Sequence, residues 1–123
     1  MAEQNLIGKE GEQQACDYLI KQDYTILHTN WRWRHYELDI VATKDHELVI
    51  VEVKTRSKNC LLSPEETIDN GKIRRIVSAA DVYARFFKLD MPVRFDIITL
   101  LGSRGGDYEI DHLKEAFYAP LRK

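Results

Sequence analysis

Along this chain the apolar residues alternate between a helical rhythm and a two-residue rhythm. Ile7, Gly11, Ala15, Tyr18 and Leu19 recur three and four residues apart, which predicts an amphipathic helix over 8–21. Glu12 falls at the edge of its apolar stripe, in line with Gly8 and Cys16. Residues 24–33 (YTILHTNWRW) are strand formers throughout. A short basic turn at Arg34 and His35 leads to a second strand over 36–42 (YELDIVA). The polar turn KDHE at 44–47 leads to a third strand over 47–55. Turns this short join antiparallel neighbours, so the three strands predict a meander.

Residues 56–63 read as a loop, followed by a capping box at Ser63-Pro64-Glu65-Glu66 with proline at the first helical position. Gly71 breaks or restarts that helix. From Ile73 onward, Ile76, Val77, Ala80, Ala84 and Phe87 share one face. After Pro92 the stretch VRFDIITLL at 93–101 predicts a fourth strand, GSRGGD at 102–107 a turn, and YEIDHL at 108–113 a weaker edge strand. The order α-β-β-β-α-β-β predicts an α/β or α+β layer fold, with helices covering a sheet in a single domain over 1–123.

Composition narrows the function classes. The 123 residues suffice for one domain with its own core, and 44% apolar with 31% charged residues is ordinary for a globular protein. The net charge of -2 is not that of a general polyanion binder, so any basic surface is local. Cys16 and Cys60 lack the company of a disulfide framework or a zinc site, which fits a reducing compartment. The first residues lack a signal-peptide pattern, and no apolar run approaches the ~20 residues that span a bilayer. A soluble cytoplasmic protein with no membrane partner is expected.

The chemistry concentrates in ELVIVEVKTR, residues 47–56, where Glu52 and Lys54 interrupt the most apolar strand. Residues two apart in a strand share a face, so Glu52 and Lys54 project together, as do Glu37 and Asp39. The 44–47 turn folds these strands together and can bring Asp39 near Glu52. Two carboxylates and a lysine on a rigid sheet suit a hard divalent cation and phosphodiester hydrolysis. The plainer alternative is a solvated Glu52–Lys54 ion pair. The run WRWR at 31–34 also has two readings: Arg32 and Arg34 on phosphates with a tryptophan stacked on a base, or tryptophans packed inward with arginines in solvent. Arg56 and Lys58, with Lys72, Arg74 and Arg75 at the start of the long helix, offer further phosphate contacts. The histidines 28, 35, 46 and 112 show no metal-ligand spacing, although His35 borders the site. Asp96, mid-strand in RFDIITL, reads as support for the fold.

Asp39 followed by Glu52-Val53-Lys54 resembles the core motif of the PD-(D/E)XK nuclease superfamily. The segments GKEGEQQACDYL, YTILHTNWR, ELDIVA, ELVIVEVKTR, PEETID and EAFYAP resemble the YraN-like family of small bacterial proteins over nearly the whole chain. The resemblance implies a restriction-endonuclease-like three-layer fold similar to archaeal Holliday-junction resolvases: a central mixed five-stranded sheet flanked by helices, with the site at one end. It implies that Asp39, Glu52 and the Val53 carbonyl bind Mg²⁺ or Mn²⁺, and that Lys54 is the catalytic lysine. Glu12 matches an extra acidic residue that binds or orients a metal-bound water. Glu37 has a supporting place, and Lys72 matches a recurrent lysine. Many relatives have glycine before the Glu-hydrophobic-Asp unit, where this chain has Arg34-His35-Tyr36. The implied partner is nucleic acid, DNA above all, branched or single-stranded, and the resolvases imply a homodimer. The competing expectations are a nucleic-acid-binding module without turnover and an accessory subunit of a repair or recombination complex.

Overall fold

Strand β3 (Glu47–Ser57) explains the architecture, because Leu48, Val49, Ile50 and Val51 are all buried. A strand apolar on both faces needs a cover on each. Val49 and Val51 pack with Ala15 and Leu19 of helix α1 (Ala2–Lys21), while Leu48 and Ile50 pack with Ile76, Ala79, Ala80 and Tyr83 of helix α2 (Asn70–Phe86). The result is a three-layer α+β fold. This computed structural model describes residues 2–57, 69–102 and 107–118. The capping box at 63–66, Lys58 and Cys60 lie outside the described residues.

The sheet has the order β1-β2-β3-β4-β5, with β1 (Thr25–Trp33), β2 (Tyr36–Lys44), β4 (Val93–Gly102) and β5 (Tyr108–Phe117). The predicted meander is present: β1 pairs antiparallel with β2, and β2 with β3. The turn between β2 and β3 places Asp45 and His46 at φ 51° and 65°, the left-handed pair that a two-residue hairpin of type I′ requires. β3 and β4 run parallel with α2 in the crossover, and β5 returns antiparallel at the edge.

Helix α2 begins at Asn70, so Lys72, Arg74 and Arg75 lie near its start as predicted. Asp69 caps it, its Oδ1 accepting the Lys72 N–H at 2.7 Å. Gly71 therefore lies inside the first turn, and the helix starts one residue before it. The buried stripe is Ile76, Ala79, Ala80 and Tyr83, shifted from the predicted one, and Phe87 ends the helix 40% exposed. Tyr83 is 1% exposed, and its phenol hydrogen-bonds His28 Nδ1 at 2.6 Å, so its polar tip is satisfied inside the core.

Asp96 is fully buried on the α1 side of β4. Its carboxylate accepts Arg94 Nε at 2.9 Å, Arg94 Nη2 at 2.8 Å and the Glu115 backbone N–H at 3.1 Å. It also lies 2.7 Å from His112 Nε2, and His112 Nδ1 bonds the Tyr18 hydroxyl of α1 at 2.9 Å. Glu115 lies at φ 51° where the β4–β5 register shifts, so Asp96 satisfies an amide that the irregular ladder leaves unpaired. Among the described residues no helix is long and apolar enough to cross a membrane.

Candidate functional site

The site forms where β2 and β3 part. Their ladder runs from Lys44↔Glu47 to Ile40↔Val51 and stops. One step further, Asp39 stands opposite Glu52. Asp39 Oδ2 accepts the Val53 N–H at 2.9 Å, so a side chain replaces the next ladder bond. β2 stays paired with β1 up to Trp33↔Tyr36. The gap is a cavity of about 230 Å³ lined by His35, Tyr36, Glu37, Asp39, Glu52, Lys72, Arg75 and Ile76.

Strand parity puts Glu52 and Lys54 on the α2 face with Leu48 and Ile50. Glu52 is 8% exposed, and Lys72 Nζ of α2 lies 2.7 Å from its Oε1. The ion pair of Glu52 is thus with the helix, and not the Glu52–Lys54 pair that the sequence alone allowed. A buried carboxylate persists only with such compensation. Asp39 has less of it. Burial first, and the Glu52 charge next, push its carboxyl up to about 7, with Glu12 adding to the rise; the Val53 N–H and Lys72 act against it. Lys54 is held below the ordinary lysine range, first by burial and then by the neighbouring Lys72 charge, while Glu52 and Asp39 oppose the shift. Each of these shifts weakens the charged form that water would favour. An added cation would relieve the carboxylates.

Glu12 reaches this region from α1. Its Oε1 accepts Asn30 Nδ2 at 2.7 Å, and Asn30 itself lies at φ 51° in β1. The helix approaches β3 so closely that a Cβ on Gly11 would lie 1.9 Å from Thr55 Oγ1 and 3.0 Å from Thr55 Cβ. Gly11 is the residue that lets α1 lie against Thr55 and carry Glu12 towards Asn30 and Asp39. Gly11→Ala is expected to lower stability by roughly 1–3 kcal/mol through overpacking, partly offset by up to ~1 kcal/mol of helix propensity. Combining it with Thr55→Ser should leave the loss in place, because Oγ1 remains, whereas Thr55→Ala should restore much of it. Urea melts of the four chains test this.

The remaining candidates divide. Lys72 and Arg75 line the cavity. Arg34 lies at the hairpin tip with its guanidinium 4.5 Å from the Trp33 ring centroid, at φ 58° in the turn. Arg32 is tied to Glu37 at 3.4 Å in an exposed pair across β1 and β2, and Glu37 also lines the cavity. Arg56 Nη1 donates to the Thr55 carbonyl at 3.1 Å and does not line the cavity. Asn30 and Tyr36 were not among the sequence candidates. Asn30 carried a weak signal, as a polar residue inside an otherwise strand-forming run.

Among the described residues no three His, Cys, Asp or Glu side chains converge into a ready-made metal cage. Mg²⁺ does not need one, since it commonly keeps several waters and takes one or two carboxylates. Asp39 and Glu52 fit that demand: two oxygen donors on one cavity, with the charge of Glu52 pushing the Asp39 carboxyl up.

The profile described as Uncharacterised protein family UPF0102 matches residues 11–100. The chain belongs to UPF0102. A UPF0102 protein of Parabacteroides distasonis is 60% identical over 99% of this chain and 100% of its own length. One of Bacteroides thetaiotaomicron is 58% identical over 98% of this chain and 99% of its own length, and one of Porphyromonas gingivalis is 44% identical over 100% of this chain and 92% of its own. The YraN-like resemblance is borne out at the level of the UPF0102 family. The residues matched to the UPF0102 profile span Glu12, Asp39, Glu52, Lys54, Lys72 and Arg75.

Proposed function

We propose that this UPF0102 protein is a metal-dependent nuclease of PD-(D/E)XK type that hydrolyses phosphodiester bonds in DNA in the bacterial cytoplasm. The observation that carries this reading is the juxtaposition of Asp39 and Glu52 on one cavity, one step past the end of the β2–β3 ladder, with basic side chains around it. Mg²⁺ or Mn²⁺ bound there would supply Lewis-acid polarisation of the phosphodiester and a more acidic water. Asp39, Glu52 and the Val53 carbonyl would hold the cation, and Glu12, fixed by Asn30, would orient a water. Lys54, on the face of Glu52, stabilises charge developing on the phosphate. Lys72 and Arg75 position the phosphate backbone. The sheet supplies the rigidity, since every group but Glu12, Lys72 and Arg75 comes from β1, β2 or β3.

The test is incubation of the purified chain with plasmid, single-stranded and four-way-junction DNA in Mn²⁺. Cleavage is expected, and it should fall at least ~10²-fold in Lys54→Ala and in Glu52→Gln. Cleavage that persists in both variants would mark a contaminant and end the reading. One observation favours a second reading: Lys72 already neutralises Glu52. On that reading the domain binds nucleic acid, or serves as an accessory subunit, without turnover. Salt-dependent DNA binding, with no cleavage and no thermal shift in Mg²⁺ or Mn²⁺, would select it.

A further inference from the structure

We infer that the tip of the β1–β2 hairpin is a stacking platform for an unpaired base, so that the substrate class is DNA with a single-stranded or splayed segment beside the carboxylate cavity. The word substrate rests on the nuclease reading; the stacking itself does not.

The two tryptophans of WRWR are on the same face of β1, because they are two residues apart. Their fates differ. Trp31 packs edge-on against Tyr83 of α2, with ring centroids 5.2 Å apart, and belongs to the core. Trp33 is one rung further out, opposite Tyr36 at the last pair before the turn, and is 39% exposed. The Trp33 and Tyr36 rings are parallel within 6°, with centroids 6.1 Å apart. Tyr36 continues to His35 at 4.4 Å, and both line the cavity that holds Asp39 and Glu52. A band of aromatic surface thus runs from the hairpin tip to the carboxylates. A cross-strand aromatic pair stabilises a hairpin by itself, by roughly 0.2–1 kcal/mol. That accounts for the pairing but not for the position of the band against a charged cavity.

Charge points to the occupant. Arg34 lies over the Trp33 ring, and Lys72 and Arg75 stand on the cavity wall. Cations beside an exposed aromatic face match a strand whose phosphates and bases alternate. A base within a duplex has both faces covered by its neighbours, so only a base out of the stack can lie on Trp33 or Tyr36. A phosphate reaching Arg34 would draw the guanidinium off the indole and open that face. The platform therefore selects unpaired DNA through stacking, with no need to read base edges.

The experiment uses the full chain in chelator, so that no turnover intervenes. Three fluorescein-labelled probes of one sequence are compared by anisotropy: a single strand, a blunt duplex and a fork with splayed arms. The wild type should bind strand and fork more tightly than duplex. Trp33→Ala should weaken strand and fork binding roughly tenfold, leave duplex binding within twofold, and abolish most quenching of tryptophan emission by the single strand. Trp33→Phe, which keeps a π-face, should retain most of the affinity. Equal affinity for the three probes, no binding to any, or strand affinity unchanged in Trp33→Ala overturns the inference. The two readings fail separately. Lys54-dependent cleavage with no effect of Trp33→Ala sinks the platform alone. Trp33-dependent strand binding with no cleavage in Mn²⁺ sinks the nuclease alone.

Discussion

Asp39→Asn should sharply reduce metal-dependent cleavage and yet make the metal-free protein more stable at neutral pH. The folded carboxyl of Asp39 titrates at about 7, against an ordinary value of 3.8. Between those values the folded chain keeps a proton that the unfolded chain has released. Stability therefore falls as pH rises across that window, and the deficit is complete above 7. Asparagine removes the charge but still offers an oxygen to the Val53 N–H. The variant should gain on the order of 1–2 kcal/mol at pH 8 in chelator, a rise of several degrees, and the gain should vanish towards pH 4. Saturating Mg²⁺ or Mn²⁺ should reverse the order, because only the wild type binds the ion and is stabilised by it. Cleavage should drop by ~10²-fold or more, since even residues behind a metal ligand commonly cost 10–100-fold. Melting curves from pH 5 to 8, with and without metal, decide the matter. A variant less stable than wild type at pH 8 in chelator would contradict the strained pair.

Asp96→Ala should be the most damaging single change in the fold. The substitution leaves Arg94, 13% exposed, without its bidentate partner, and strips the Glu115 N–H and His112 of theirs. Breaking one partner out of a buried pair costs roughly 3–5 kcal/mol. A domain of this size has about 5–15 kcal/mol in total, so a fall in Tm of some 10 °C or more is expected. Burial alone would raise the Asp96 carboxyl, but the bonds from His112, Arg94 and the Glu115 N–H outweigh it and hold it below 3.8. A depressed folded value stabilises the protein above the unfolded value, and the contribution disappears as pH falls through the acid range below about 4. The advantage of the wild type over Asp96→Ala should therefore be smaller at pH 3 than at pH 7. Paired thermal melts at the two pH values measure this.

Much of the fold was legible because short-range rules agree with it. The meander follows from alternation and two-residue turns, and the unbroken Leu48–Val51 run required a helix on each face. The convergence of Asp39 and Glu52 was legible for the same reason: the turn at 45–46 fixes the register, and the register fixes who stands opposite whom. What stayed hidden depends on contacts between distant elements. The Lys72–Glu52 pair joins a helix to a strand, and the Glu12–Asn30 bond joins α1 to β1. Tyr83 was missed because a buried tyrosine needs a partner such as His28, which periodicity does not see. β5 extends to Phe117, past the predicted Leu113, because the backbone twists out of period at Glu115. The division of WRWR into one packed and one exposed tryptophan depends on where α2 ends its coverage, which no spacing within the run records.

Both outer strands carry a break in register, β1 between Ile26 and His28 and β5 between Phe95 and Ile97 of its partner. Unpaired rows of amides and carbonyls at a sheet's margin are templates on which further copies can zip, as in fibril growth. A kinked margin offers no straight template. The domain can thus keep its most apolar strand in the middle of the sheet while its rims resist endless stacking.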